Sequence, residues 1–172
     1  MQNNNYTKVI LDSLVKRSQS FLKEEMSIDI ISISEEESSP PKVELQKNTS
    51  MISVSGSVEI LIVMGYNDAL LEKLIDAFLE GEEVEDDELD EIRESVSSEI
   101  VNIIVGNALF NPVDNTVLHI SPPILIYEAK FLFQQKNSHI SITRIETQFG
   151  DMLLSTIMPS KTIPNLAQNK GK

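Results

Sequence analysis

Twice in this chain, apolar and β-branched runs meet across a short glycine-containing turn. Residues 51–54 and 58–64 are joined through Ser55, Gly56 and Ser57, and residues 138–148 and 152–158 through Phe149, Gly150 and Asp151. This spacing predicts two β-hairpins, and hairpin strands pair antiparallel. A doubly wound parallel sheet is thereby disfavoured. It needs strands alternating with helices and a glycine-rich phosphate loop, whereas the 6 glycines here are scattered. Two more strand signals lie at 27–34, which is rich in isoleucine, and at 124–133, which follows Ser121, Pro122 and Pro123. The stretch 35–50 carries three consecutive glutamates and the pair Pro40 and Pro41. It reads as a loop or, through Val43 and Leu45, as a weak edge strand.

Helical periodicity accounts for the remaining apolar residues. Val9, Ile10, Leu14, Val15, Phe21 and Leu22 predict a helix over 6–22, interrupted by polar Ser18 and Gln19. Asn67 is placed to cap a second helix whose face holds Leu70, Leu71, Leu74, Ile75, Phe78 and Leu79, with Gly81 to stop it. A third, over 86–109, has Leu89, Ile92, Val96, Ile100 and Ile103 at steps of three and four. Helices interleaved with hairpins imply an α+β class, an antiparallel sheet with helices packed on one side. The 172 residues suffice for one domain, read as 1–158, and the polar end, 159–172, reads as a flexible tail.

Composition narrows the chemistry. The formal net charge of −13 repels phosphate backbones and anionic lipid surfaces, which argues against nucleic acid and membrane partners. No apolar run approaches the roughly 20 residues that span a bilayer, and the amino terminus lacks a secretory signal layout, so a cytoplasmic location is expected. With 0 cysteines there is no thiol nucleophile, disulfide framework or thiolate metal site. His119 and His139 are too few for a zinc or triad site, and no serine lies in a Gly-X-Ser-X-Gly elbow. Nine of the twelve residues 80–91 are acidic, but the run lacks the spacing and turn glycine of a calcium loop. It reads as a solvated linker and a helix start that the helix dipole favours.

The third helix carries a second stripe. Ser95, Ser98, Glu99, Asn102 and Gly106 fall on one face of it, a narrow seam of small and polar residues on an otherwise apolar segment. Glu and Asn three apart on a helix are ordinarily just its wet side. Two details favour function. Asn102 is a poor helix former set among Val101, Ile103, Ile104 and Val105, so it costs stability there. The small neighbours also leave Glu99 and Asn102 standing proud, as insertion into a partner's cleft would require.

Ser95, Glu99 and Asn102 in Ser-Val-Ser-Ser-Glu-Ile-Val-Asn, continued by Ile-Ile-Val-Gly-Asn-Ala and by Pro122 and Pro123, resemble the signature of the CheC/CheX/FliY phosphatases of bacterial chemotaxis. The order of elements is similar to that of CheX along nearly the whole chain. Residues 7–22 hold no second Glu-X-X-Asn, which points to the single-site CheX branch. The resemblance implies a CheC/CheX-like fold, a homodimer joined at sheet edges, and hydrolysis of the aspartyl phosphate of a CheY-type response regulator. It assigns Asn102 to hold the attacking water and Glu99 to pair with the regulator's active-site lysine, with Ser95, Ser98 and Gly106 against the partner. The resemblance implies no cofactor or metal of the chain's own, with Mg2+ in the regulator. The alternative reading is a non-catalytic adaptor that docks a receiver domain or a flagellar-switch component by the same seam. A weaker one is a structural dimerisation domain.

Overall fold

Apolar residues two apart along 60–66 put Ile60, Ile62, Met64 and Tyr66 on one face of a strand, and that strand lies near the middle of the structure. The computed structural model describes residues 2–36, 42–80, 84–85, 87–110, 117–126, 130–133 and 138–159. The elements run α1 (Gln2–Ser20), β1 (Ile30–Glu36), β2 (Lys42–Glu44), β3 (Asn48–Gly56), β4 (Ile60–Tyr66), α2 (Asp68–Phe78), α3 (Leu89–Ala108), β5 (Leu118–Ile120), β6 (Ile124–Ile126), β7 (Phe131–Phe133), β8 (Ser138–Thr147) and β9 (Gly150–Pro159). The main sheet is antiparallel, in the order β1-β8-β9-β4-β3-β5, with β6 also on β3. Both expected hairpins form, as β3–β4 and β8–β9.

The helices cover one face of this sheet. Ile10 and Leu14 of α1, Leu70, Leu71 and Leu74 of α2, and Ile100, Val101 and Ile104 of α3 join Ile52, Ile62, Met64, Tyr66, Ile145, Met152 and Leu154 in one buried cluster. Tyr66 is fully enclosed there, with its hydroxyl on the Met64 sulfur at 3.9 Å, and burial pushes its phenol well above the ordinary range. On the other face a two-stranded β2–β7 ribbon packs Val43 and Leu45 against Val63. The 35–50 stretch is therefore split, with β2 in the ribbon and Asn48–Ser50 in β3, and residues 37–41 lie outside the described part.

Several elements depart from the sequence reading: α1 begins at Gln2, β3 at Asn48 and α3 at Leu89, β5 was not foreseen, and three departures have clear local reasons. The strand expected at 27–34 starts only at Ile30, because the chain must first leave the helix. The last helical turn widens at Phe21–Glu25, the Met26 and Ile28 amides close on the Phe21 and Leu22 carbonyls, and Ser27 takes a left-handed φ of 54°. The strand expected over 124–133 is two pieces on different sheets, β6 and β7. Finally, β5 and β6 are two halves of one edge along β3, interrupted where Pro122 and Pro123 have no amide to donate. Ser121 bridges the interruption, its amide donating to the Ser53 carbonyl at 2.9 Å while its hydroxyl accepts from the Ser53 amide at 3.0 Å. Gly81 and the tail after Pro159 lie outside the described residues.

One glycine ties a hairpin to a helix. Asn67 caps α2 as expected, its side-chain oxygen accepting from the Ala69 amide at 3.0 Å, while its own amide donates to the Asp151 carbonyl at 3.0 Å. Gly150, at φ +122°, sits so close that a Cβ there would meet Asn67 Oδ1 at 2.6 Å. Only a residue without a side chain satisfies both the turn and the cap. Gly150→Ala is expected to destabilise the fold by about 1–3 kcal/mol, read as a lower urea midpoint at unchanged slope.

Candidate functional site

Helix α3 is pinned from beneath. Val96, Ile100, Val101, Ile104 and Val105 are buried and the helix packs on α1, α2, β3 and β6. Ser97, which the sequence reading passed over, is buried too, and its carbonyl accepts from the Ser50 hydroxyl of β3 at 3.2 Å. Arg93 adds ion pairs to Glu72 of α2 at 3.4 Å and to Asp90 at 3.6 Å. Asp90 and Glu91 in the first turn suit the positive end of the helix dipole.

The face opposite this anchorage carries the predicted seam. Ser95, Glu99 and Asn102 are exposed, and Ser98 and Gly106 are half-buried beside them. Three residues of helix separate the Glu99 and Asn102 backbones by about 4.5 Å along the axis and about 60° around it, so both side chains project into the same volume of solvent. Among the described residues neither side chain makes a hydrogen bond or an ion pair. The seam therefore presents to solvent a carboxylate and a carboxamide, one acceptor and one donor-acceptor, on a helix whose other face is buried. All five sequence-predicted residues come together.

The histidines do not join them or each other. His119 on β5 and His139 on β8 are exposed and stand four strand spacings apart in the sheet order, roughly 19 Å. Among the described residues no group of three or more His, Cys, Asp or Glu side chains is placed to hold a metal ion. Among them, too, no helix is long and apolar enough to cross a membrane. Phe110, immediately past the end of α3, is 82% exposed. The sequence reading missed it because a phenylalanine following an apolar helix looks like more core.

The architecture is thus an antiparallel α+β sheet with its helices on one face and an exposed acid-amide pair on the outer side of one of them. The family described as Chemotaxis phosphatase CheX matches residues 48–146, more than half of the chain, and the chain belongs to that family. Among curated protein sequences none matches it. Among solved structures it is similar to the chemotaxis protein CheX of Desulfovibrio desulfuricans, with a TM-score of 0.73 at 12% identity, covering 87% of this chain and 98% of that one. It is also similar to the Borrelia burgdorferi chain from a CheX-CheY-BeF3-Mg+2 complex, with a TM-score of 0.67 at 20% identity, covering 89% and 96%. A CheC-like superfamily protein from Shewanella sp. PV-4 gives 0.65 at 15%, covering 88% and 96%. At these identities the likeness carries the fold.

Among the described residues the Glu99 and Asn102 side chains have no bonded partner, so the fold is expected to tolerate their loss. Glu99→Ala and Asn102→Ala are each expected to leave stability unchanged or raised by about 0.5 kcal/mol, alanine being the better helix former. Gly106→Ala should stabilise by about 1 kcal/mol, since an added Cβ meets nothing within 4 Å. Thermal unfolding of the three variants checks this, and a large loss in any of them would show that the seam is structural.

Proposed function

We propose that this protein hydrolyses the aspartyl phosphate of a CheY-type receiver domain in the cytoplasm, ending a chemotaxis signal, by inserting Glu99 and Asn102 into the receiver's active site. The observation that carries this reading is the exposed, unengaged acid-amide pair on the buried-backed helix of a CheX-family chain. The Borrelia neighbour, a complex of CheX with CheY, supports a receiver as the partner.

On this reading the Asn102 carboxamide orients a water in line with the phosphorus. Its oxygen forms the new bond, the bond from phosphorus to the aspartate oxygen breaks, and the electron pair leaves with the receiver's carboxylate. Both protons of the water end on the released phosphate, as H2PO4−. An acyl phosphate is already labile, so placing the water and balancing charge suffice and no protein nucleophile is required. A neutral amide suits the task, because a carboxylate at that point would meet the phosphoryl oxygens with like charge. Glu99 pairs with the receiver's active-site lysine and fixes the approach, while Ser95, Ser98 and Gly106 keep the contact close. Mg2+ belongs to the receiver.

Decay of labelled phosphate on a purified receiver, with this protein at a tenth of the receiver's concentration, tests the proposal. Acceleration is expected, with loss on the order of 10²-fold in Asn102→Ala. Slowed or unchanged decay despite binding would make the protein an adaptor instead.

The chain is also proposed to dimerise along β1. That strand is one of the two margins of the described sheet, unbroken over seven residues and with Ile31 and Ile33 exposed at 64% and 40%, and such margins are usually paired or protected. Light scattering should give twice the chain mass at micromolar concentration, and a monomer mass throughout would refute the dimer.

A further inference from the structure

The buried stripe of α3 ends at Leu109, which is 6% exposed, and the next residue, Phe110, is the most exposed large apolar side chain described. A single exposed apolar residue means little in itself. The position of this one is informative. Eleven residues separate it from Glu99, and α3 itself ends at Ala108, so Phe110 stands just past the carboxyl end of the seam helix, about 16 Å along the axis from Glu99. The Leu109 amide still bonds to the Val105 carbonyl at 3.0 Å, but Leu109 itself has left helical backbone, at φ −101° and ψ 2°. Between Asn102 and Phe110 along the chain lies Gly106, where even a methyl group would meet nothing within 4 Å. No side chain of Gly106 walls the ring off from the acid-amide pair.

We propose that Phe110 is a specificity-determining contact for the receiver, its ring seating in an apolar recess beside the receiver's phosphorylation site. The inference rests on the phosphatase reading above. A stable complex covers roughly 800 Å² on each partner, a patch about 30 Å across, so one centred on Glu99 and Asn102 reaches Phe110. Aromatic residues are enriched in such patches because they bury much area with few torsions. The two parts of the face then divide the work. Asn102 acts on the bond that breaks, and Phe110 acts on how long, and to which receiver, the complex holds.

The division is measurable. Phosphate decay followed across receiver concentrations should show Phe110→Ser raising the KM about tenfold or more at unchanged kcat, with Phe110→Leu partly restored. Asn102→Ala should do the reverse, lowering kcat. The exposed ring makes no described core contact, so an unchanged Tm is expected and separates a docking defect from misfolding. The same variants are titrated against a beryllofluoride-treated receiver, which reports affinity without turnover. Weaker binding by Phe110→Ser supports the contact even if the wild type proves inactive, an outcome that would overturn the phosphatase reading alone. Wild-type KM and affinity in Phe110→Ser would overturn the contact, as would a change in oligomeric mass as its only effect. A wild type that neither hydrolyses nor binds overturns both.

Discussion

The burial of one face of α3 is the constraint from which the rest of the site follows. Val96, Ile100, Val101, Ile104 and Val105 are enclosed by α1, α2 and the sheet, and the Ser97 carbonyl is tied to Ser50. A rotation by one residue, about 100°, would turn polar seam residues toward the core and apolar ones toward water. Burying an amide such as that of Asn102 without partners costs on the order of 1–3 kcal/mol, before the lost apolar contacts are counted. The orientation of the seam is thus set by the core beneath it, with no help from its own side chains.

The sheet contributes through its own fixed points. Gly150 allows the β8–β9 turn and the Asn67 cap of α2 to occupy neighbouring space, which fixes where α2 begins. Since α2 packs on both α3 and β9, the turn registers one helix of the layer against the strands. The β2–β7 ribbon does the complementary work on the far face, where Val43 and Leu45 cover Val63 and keep the sheet from presenting an open apolar side there.

Local signals made the hairpins, the α2 cap and the seam readable from residues alone, because each depends on neighbours a few positions away. Gly56 and Gly150 announce turns, Asn67 announces a cap, and the spacing of Ser95, Glu99 and Asn102 is a property of any helix. What was not readable depends on distant partners. An Ile-rich run at 124–133 carries no mark that β6 will join β3 while β7 joins β2. The delayed start of β1 depends on how the end of α1 closes on Met26 and Ile28, a matter of backbone geometry rather than apolar pattern. Phe110 was hidden for a related reason, since an apolar letter after an apolar helix reads as core until the neighbours are placed. The chemistry proposed for the seam rests on the resemblance of its motif, and the geometry adds that the pair is exposed and, among the described residues, without a bonded partner.

Charge supplies the last step. On the proposed reading, a chain at −13 would meet long-range repulsion from any receiver of like sign, which a Debye length of about 8 Å at physiological salt confines to the near surface. Within that range the proposed contacts differ in kind. Glu99 meets a cation, Asn102 is neutral and Phe110 is apolar, so none of the three adds to the repulsion at the point of contact. Affinity on this reading comes from short-range complementarity, and the encounter is not steered. An interface of that type discriminates by shape and apolar fit more than by net charge, which is what a phosphatase needs if it is to select one receiver among many that share the same acidic phosphorylation pocket.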